Sequence, residues 1–158
     1  MTILEVAPQR LALLQRTRNV AIVGMSDNPA RASHFVATYL LGATDYDVSF
    51  VNPRLDEILG RPVYPSLDAL PSVPGIVDVF RRQDDLGQVT DEAIAVGAAA
   101  VWFQLGLRDD DAAIAAAAAG LDVVQDRCLK IEHARFRGGL HTVGFDTGVI
   151  DSRPARLV

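Results

Sequence analysis

Residues 20–23 read Val-Ala-Ile-Val and run directly into Gly24. Four apolar residues in succession suit a strand covered on both faces, which is the condition of a strand inside a parallel sheet. Gly24 then stands where the chain must turn sharply. Signals for a helix follow at once. Ser26, Asp27 and Asn28 are candidate caps, Pro29 suits an early helical position that needs no amide hydrogen, and Arg31 and Ser33 add a cation and a hydroxyl. A strand, tight turn and helix start in this order form the geometry that holds a phosphate on backbone amides. Only one of the three glycines of the dinucleotide fingerprint is present, so an ordinary strand-turn-helix junction is the competing reading.

A chain of 158 residues has the length of one domain and can bury a sizeable core without cross-links. The formal net charge of −5 argues against broad attraction to nucleic acid or to an anionic membrane. Every basic residue but Lys130 is an arginine, which favours anion clamps over lysine-based covalent chemistry. Cys128 is the single cysteine, so no internal disulfide framework exists and a reducing cytoplasm is the expected compartment. The first residues contain Glu5, Pro8 and Arg10 before any long apolar run, so neither a signal peptide nor a membrane span is expected.

Strands are expected at 19–23, 46–51, 76–80, 99–105 and 121–124, and helices at 4–14, 34–41, 84–96 and 109–119. Gly42, Gly97 and Gly120 are the expected stops of three of these helices. The stretch with Pro53, Pro62, Pro65, Pro71 and Pro74 reads as loop. Asp109, Asp110 and Asp111 suit the positive start of a helix better than a metal site. Alternating strands and helices predict an α/β fold with a single doubly wound parallel sheet, Rossmann-like, in strand order 3-2-1-4-5. A ligand would then lie beyond the carboxyl ends of the strands, at the switch point between the first and fourth. The divisions expected are an N-terminal helix over 1–18, the sheet domain over 19–136 and an extension over 137–158. That extension is open to three readings: an edge hairpin, a dimer arm or loose chain.

The strand ends gather Gly24, Met25 and Ser26, then Asn52, Pro53 and Arg54, then Arg81 and Arg82, then Gln104, Leu105 and Gly106, then Asp126, Arg127 and Cys128, with Phe80 a further candidate beside Arg81. A site for NAD normally has a carboxylate at the end of the second strand, and Asn52 stands there instead, with Arg54 two residues on. That pattern suits a phosphorylated ribose, which both NADP and coenzyme A carry. Helix-start amides with Arg31, Arg54, Arg81 and Arg82 match the several phosphates of coenzyme A.

From about residue 15 to 136 the chain resembles the small stand-alone CoA-binding domain proteins of bacteria, related to the CoA-binding domain of succinyl-CoA synthetase alpha subunits. The likeness rests on Val23-Gly24-Met25-Ser26 with Pro29, Arg31 and Ser33, on Val51-Asn52-Pro53, and on the run from Gly60 to Leu67. It continues through Val77 to Arg82, Trp102 to Gly106 and Asp126 to His133. What it implies is a Rossmann-like domain with coenzyme A or an acyl-CoA as its small-molecule partner, phosphates over the first helix of the sheet domain, and no established reaction. The phosphohistidine domain of the synthetase subunits has no counterpart in a chain of this length, so ligase activity by the chain alone is not expected.

No serine-histidine-aspartate or tyrosine-lysine set is evident, so a non-catalytic carrier, sensor or partner module is the leading expectation. An NADP-dependent oxidoreductase or an acyl-CoA-handling enzyme is the alternative, and a homodimer is possible. Asn52 and Pro53 have a structural reading nearly equal to the adenosine-wall reading. Arg81 and Arg82 point oppositely if the strand pleat continues, so one of them is expected to pair with Asp84 or Asp85. His34 could reach a phosphate or serve in packing. Glu132 and His133 are neighbours on a helix and face apart. Cys128 is either inert or able to meet the thiol of coenzyme A.

Overall fold

The computed structural model describes residues 2–137. The expected extension over 137–158 therefore lies outside the described residues but for its first. The chain forms α1 (Ala7–Arg16), β1 (Asn19–Val23), α2 (Ala32–Ala43), β2 (Asp47–Val51), β3 (Glu57–Ile58) and β4 (Arg61–Tyr64). It continues through β5 (Ile76–Val79), α3 (Leu86–Ala95), β6 (Ala100–Phe103), α4 (Asp110–Ala118), β7 (Asp122–Val124) and α5 (Leu129–Arg137).

The seven strands form one sheet in the order β3-β4-β2-β1-β5-β6-β7, parallel throughout except for the short β3. The α/β class and the Rossmann-like sheet agree with the sequence. The strand order 3-2-1-4-5 does not hold as assigned, because the strand at 76–79 lies beside β1 and not beyond β2. The outer place is taken by β4, at residues read as loop. Pro62 and Pro65 speak against a strand, but β4 lies near the sheet edge, where a missing amide costs little. Val63 N still donates to Asp56 O at 2.9 Å and Asn52 N to Tyr64 O at 3.0 Å. Counting β4 as the third parallel strand restores the order 3-2-1-4-5-6, and the switch point falls between β1 and β5.

Strand alternation divides the core in two. Val20, Ile22, Phe50, Ile76 and Trp102 face one way, with Leu13, Leu40, Leu129 and Phe136 of the helices. Ala21, Val23, Val77, Val79, Val101 and Phe103 face the other, with Val89, Ala113 and Ala116. Burial of each large side chain here stabilises by about 1.5–3 kcal/mol. Trp102 also satisfies its indole, donating to Arg127 O at 2.8 Å.

Each expected helix is found with its ends shifted by one to three residues, and at α2 both shifts have a local cause. Gly42 does not end α2, which runs to Ala43, because Thr44 returns both its amide and its hydroxyl to Leu40 O. The N-cap of α2 is Arg31 and not a residue of the Ser26–Asn28 stretch, which instead folds into local turns. Asn28 N donates to Ser26 Oγ and Ala30 N to Asn28 Oδ1, each at 3.0 Å, so Pro29 precedes the helix. At α4, Asp109 Oδ1 accepts from Ala112 N at 3.0 Å, and the aspartate run is the cap of that helix.

Candidate functional site

Gly24 ends β1 at φ +86°, and a Cβ placed on it would lie 2.4 Å from Phe80 O. Only glycine permits both the left-handed backbone and this approach of two strand ends. Its amide donates to Val51 O at 3.0 Å, which ties the turn to the end of β2. The turn then opens toward α2, whose first residue follows Arg31. No side chain caps that start. The leading amides of α2 thus have no partner within the helix, and Ala32 and Ser33 line the adjoining cleft. The buried Ser33 hydroxyl accepts from Ser26 N at 3.0 Å and fixes the loop over the helix start.

The cleft has a volume of about 630 Å³. Its phosphate-suited side consists of Gly24, Ser26, Arg31, Ala32 and Ser33 with Arg81, whose Cδ would lie 3.1 Å from a Cβ on Gly24, and its far side of Phe80, Gln104, Leu105, Leu107, Cys128 and Ile131. It therefore crosses the carboxyl ends of β1, β5 and β6 and reaches the start of α5. That is where an open α/β sheet presents its ligand crevice. One side offers backbone donors and guanidinium groups, and the other is mostly apolar.

Seven of the twelve candidate residues line this cleft: Gly24, Ser26, Arg31, Ser33, Phe80, Arg81 and Gln104. Met25, Asn52, Pro53, Arg54 and Arg82 do not. The Met25 side chain is wholly buried in the core. Asn52 is a brace: its Nδ2 donates to Met25 O and its Oδ1 accepts from Arg54 N, each at 2.8 Å. Both arginines after β5 meet Asp85, Arg81 at 3.3 Å and Arg82 at 3.6 Å, but only Arg81 also borders the cleft, while Arg82 is 88 % exposed.

Sequence reasoning missed Asp78. It sits in β5, is 0 % exposed, and its Oδ1 accepts from Gln104 Nε2 at 2.5 Å. Burial pushes its carboxyl up to about 8, and the Gln104 hydrogen bond opposes that shift. The signal was a carboxylate inside the apolar run Ile76-Val77-Asp78-Val79-Phe80. Leu107 and Ile131 were also missed, since single apolar residues in a loop or inside a helix carry no distinguishing pattern.

Cys128 precedes α5, where its carbonyl accepts from Glu132 N at 3.0 Å. Burial pushes its thiol up, while hydrogen bonds from the Ile131 and Lys130 amides pull it down. Glu132 and His133 have separate partners. Glu132 is buried against Arg10 and Arg127, and His133 Nδ1 lies 2.9 Å from the Tyr39 hydroxyl on another side of α5.

Comparison with known proteins places this architecture. The model of the CoA binding domain family matches residues 18–134. The protein YneT of Bacillus subtilis (strain 168) is 38% identical over 122 residues, which are 77% of this chain and 90% of YneT. A solved structure of a hypothetical protein from Pyrococcus horikoshii OT3 is 37% identical, with a TM-score of 0.79, over 83% of this chain and 92% of that one. The dinucleotide-forming acetyl-coenzyme A synthetase 1 of Ca. Korarchaeum cryptofilum, solved with phosphate and ADP, shares the fold at a TM-score of 0.67 and 20% identity. That likeness covers 73% of this chain and 27% of the synthetase. The chain belongs to the CoA binding domain family.

Proposed function

We propose that this CoA-binding domain holds coenzyme A or an acyl-CoA in the cleft at the ends of β1, β5 and β6, as a carrier, sensor or partner module without turnover of its own. The observation that carries the reading is the meeting of an uncapped helix start with two arginines at one side of a cleft whose other side is apolar. The pyrophosphate suits the Ala32 and Ser33 amides, where backbone donors and the helix dipole act together. Arg31 and Arg81 supply positive charge. Phe80, Leu105, Leu107 and Ile131 suit the uncharged arm of the cofactor. Asn52, Pro53 and Arg54 stand at the end of β2 outside the lining of the cleft, and an adenosine reaching past Gly24 would meet them there, with Arg54 toward the ribose phosphate. Among the described residues no helix is long and apolar enough to cross a membrane. A cytoplasmic location suits both this and a single free thiol.

Thermal-shift titration with coenzyme A, dephospho-CoA, acetyl-CoA, NAD and NADP tests the reading, since a ligand that binds the folded state raises its midpoint. Coenzyme A should give the largest shift, and removal of the 3′-phosphate should reduce it. Equal shifts for coenzyme A and NAD would defeat the assignment. A larger shift with NADP would move it to a nicotinamide cofactor.

A further inference from the structure

We propose that the inner end of the cleft is a thiol-exchange site, at which Cys128 takes up one coenzyme A moiety from coenzyme A disulfide as a mixed disulfide. The proposal rests on the assignment of coenzyme A to this cleft and adds a covalent step to it.

Position is the first argument. Arg127 N donates to Phe103 O at 3.4 Å and the Arg127 carbonyl accepts from Trp102 Nε1 at 2.8 Å, so Cys128 follows a residue held at the end of β6, two strand steps or about 10 Å from the end of β1. The phosphate-suited residues stand at one end of that span and Cys128 at the other, with Phe80, after β5, between them. A ligand anchored by its phosphates on α2 and extended across the apolar stretch brings its sulfur end to Cys128.

The second argument is Asp78. Its Oδ2 finds no hydrogen-bond partner among the described residues although the side chain is fully buried. Its other oxygen holds Gln104, which is part of the cleft wall; a negative charge on Asp78 would push the Cys128 thiol up, and burial opposes that charge. Gln104 and Cys128 thus share the wall of the cleft, with the Asp78 acid buried behind Gln104. An unpaired buried carboxyl oxygen is costly to stability, and such groups gather where function maintains them.

The third argument is the thiol itself. The amides of Lys130 and Ile131 support a developing thiolate at the start of α5, while burial keeps the resting thiol protonated. Such a sulfur is slow toward disulfides met at random in solution. It reacts when a bound ligand holds a disulfide against it at high effective concentration.

In the exchange, the Cys128 thiolate attacks the nearer sulfur of coenzyme A disulfide. The sulfur-sulfur bond of the ligand breaks, the Cys128–coenzyme A bond forms, and the second coenzyme A leaves as a thiolate that takes up the proton Cys128 gave up. One disulfide replaces another, and no outside oxidant is needed. The chain has no second cysteine to resolve the adduct, so the adduct persists until an external thiol removes it.

Intact-mass measurement over time tests this, with coenzyme A disulfide and glutathione disulfide compared on the wild-type protein, Cys128→Ser and Arg31→Ala. The wild type should gain one coenzyme A, reversibly with a dithiol, at least tenfold faster than it gains glutathione. Cys128→Ser should gain nothing. Arg31→Ala should slow the coenzyme A reaction and leave the glutathione reaction unchanged. A wild-type protein that shows a thermal shift with coenzyme A yet forms no adduct would overturn the exchange and leave the binding assignment standing. Equal rates for the two disulfides would also overturn it, since a merely accessible thiol behaves that way. Absence of both the adduct and the shift would remove the cofactor assignment together with the exchange.

Discussion

Gln104 Nε2 donates to Asp78 Oδ1 at 2.5 Å from a side chain only 5 % exposed, so the amide that walls the cleft is held by a carboxyl wholly shut off from water. Burial raises the Asp78 carboxyl from 3.8 to about 8. The sign of its effect on stability follows from linkage. Between about pH 4 and pH 8 the folded chain keeps a proton that the unfolded chain has released, so this group's contribution is full at low pH and is lost as pH rises through that window. The limiting slope for one proton is about 1.4 kcal/mol per pH unit. Asp78→Asn removes the titrating group and retains an amide that can bond Gln104. Urea unfolding at pH 6, 7 and 8 should show wild-type stability falling relative to Asp78→Asn, with the variant the more stable at pH 8. Parallel curves for the two proteins would show that Asp78 does not titrate in this range.

How far the sequence carried depends on which physical signal each residue leaves. Val20 to Val23 and Gly24 were legible because a doubly covered strand is apolar at every position and the turn after it admits no side chain. The place of β5 was not, since adjacency in a parallel sheet is decided by crossovers and not by local pattern. The strand at Arg61–Tyr64 was hidden by Pro62, which is tolerated because only the two-residue β3 lies outside it. On the site, the residues that contribute backbone geometry or charge at the end of β1 were readable, whereas Asn52 turned inward to brace Met25 O, a choice no spacing rule reveals. Asp78 was overlooked because a carboxylate in a strand reads as an exposed position until its neighbours are known.

Gly24→Ala should destabilise the protein by about 2 kcal/mol or more and abolish the thermal shift with coenzyme A. The new Cβ would meet Phe80 O at 2.4 Å, a backbone atom that cannot move aside, and the residue would also sit at φ +86°. Gly60→Ala is the useful comparison, because Gly60 has φ +71° but nothing within 4 Å of the added carbon. It should show the conformational cost alone, about 1–2 kcal/mol, and keep ligand binding. Thermal denaturation with and without coenzyme A measures both. Similar losses in the two variants would mean that the approach of β1 and β5 ends is not what requires glycine.

Arg31 and Arg82 should separate sharply in ligand affinity. Arg31 borders the cleft beside the amides of α2, whereas Arg82 stands outside it and meets Asp85 at the surface. Arg31→Ala should weaken coenzyme A binding by about tenfold, or about 1.4 kcal/mol, as expected for loss of a charged hydrogen bond to phosphate. Arg82→Ala should change affinity by less than about twofold. Calorimetric titration at two salt concentrations decides the matter, because the wild-type affinity should fall with salt more steeply than that of Arg31→Ala. An unchanged affinity in Arg31→Ala would place the phosphates away from the start of α2.

The clamp between α1 and α5 should prove fragile to single changes and tolerant of a paired one. Arg10 Nε lies 3.4 Å from Glu132 Oε1 with both side chains only 3 % exposed, an ionic contact without the alignment of a hydrogen bond. Arg10 Nη1 also donates to Glu5 O at 3.0 Å, and Arg127 approaches the same Glu132 oxygen from the rim at 3.4 Å. Burial works against the Arg10 charge, and Glu132 offsets part of that cost. Arg10→Met would leave the buried Glu132 with Arg127 alone and should cost about 3 kcal/mol in urea unfolding, since an uncompensated buried charge costs more than the intact pair contributes. Arg10→Met combined with Glu132→Leu removes both charges and fills the space with apolar atoms, so it should recover most of that loss. A double-mutant cycle on the two positions therefore has an expected coupling of about 2 kcal/mol. Strict additivity would assign the join between α1 and α5 to the surrounding apolar contacts of Leu13, Leu14 and Phe136 instead.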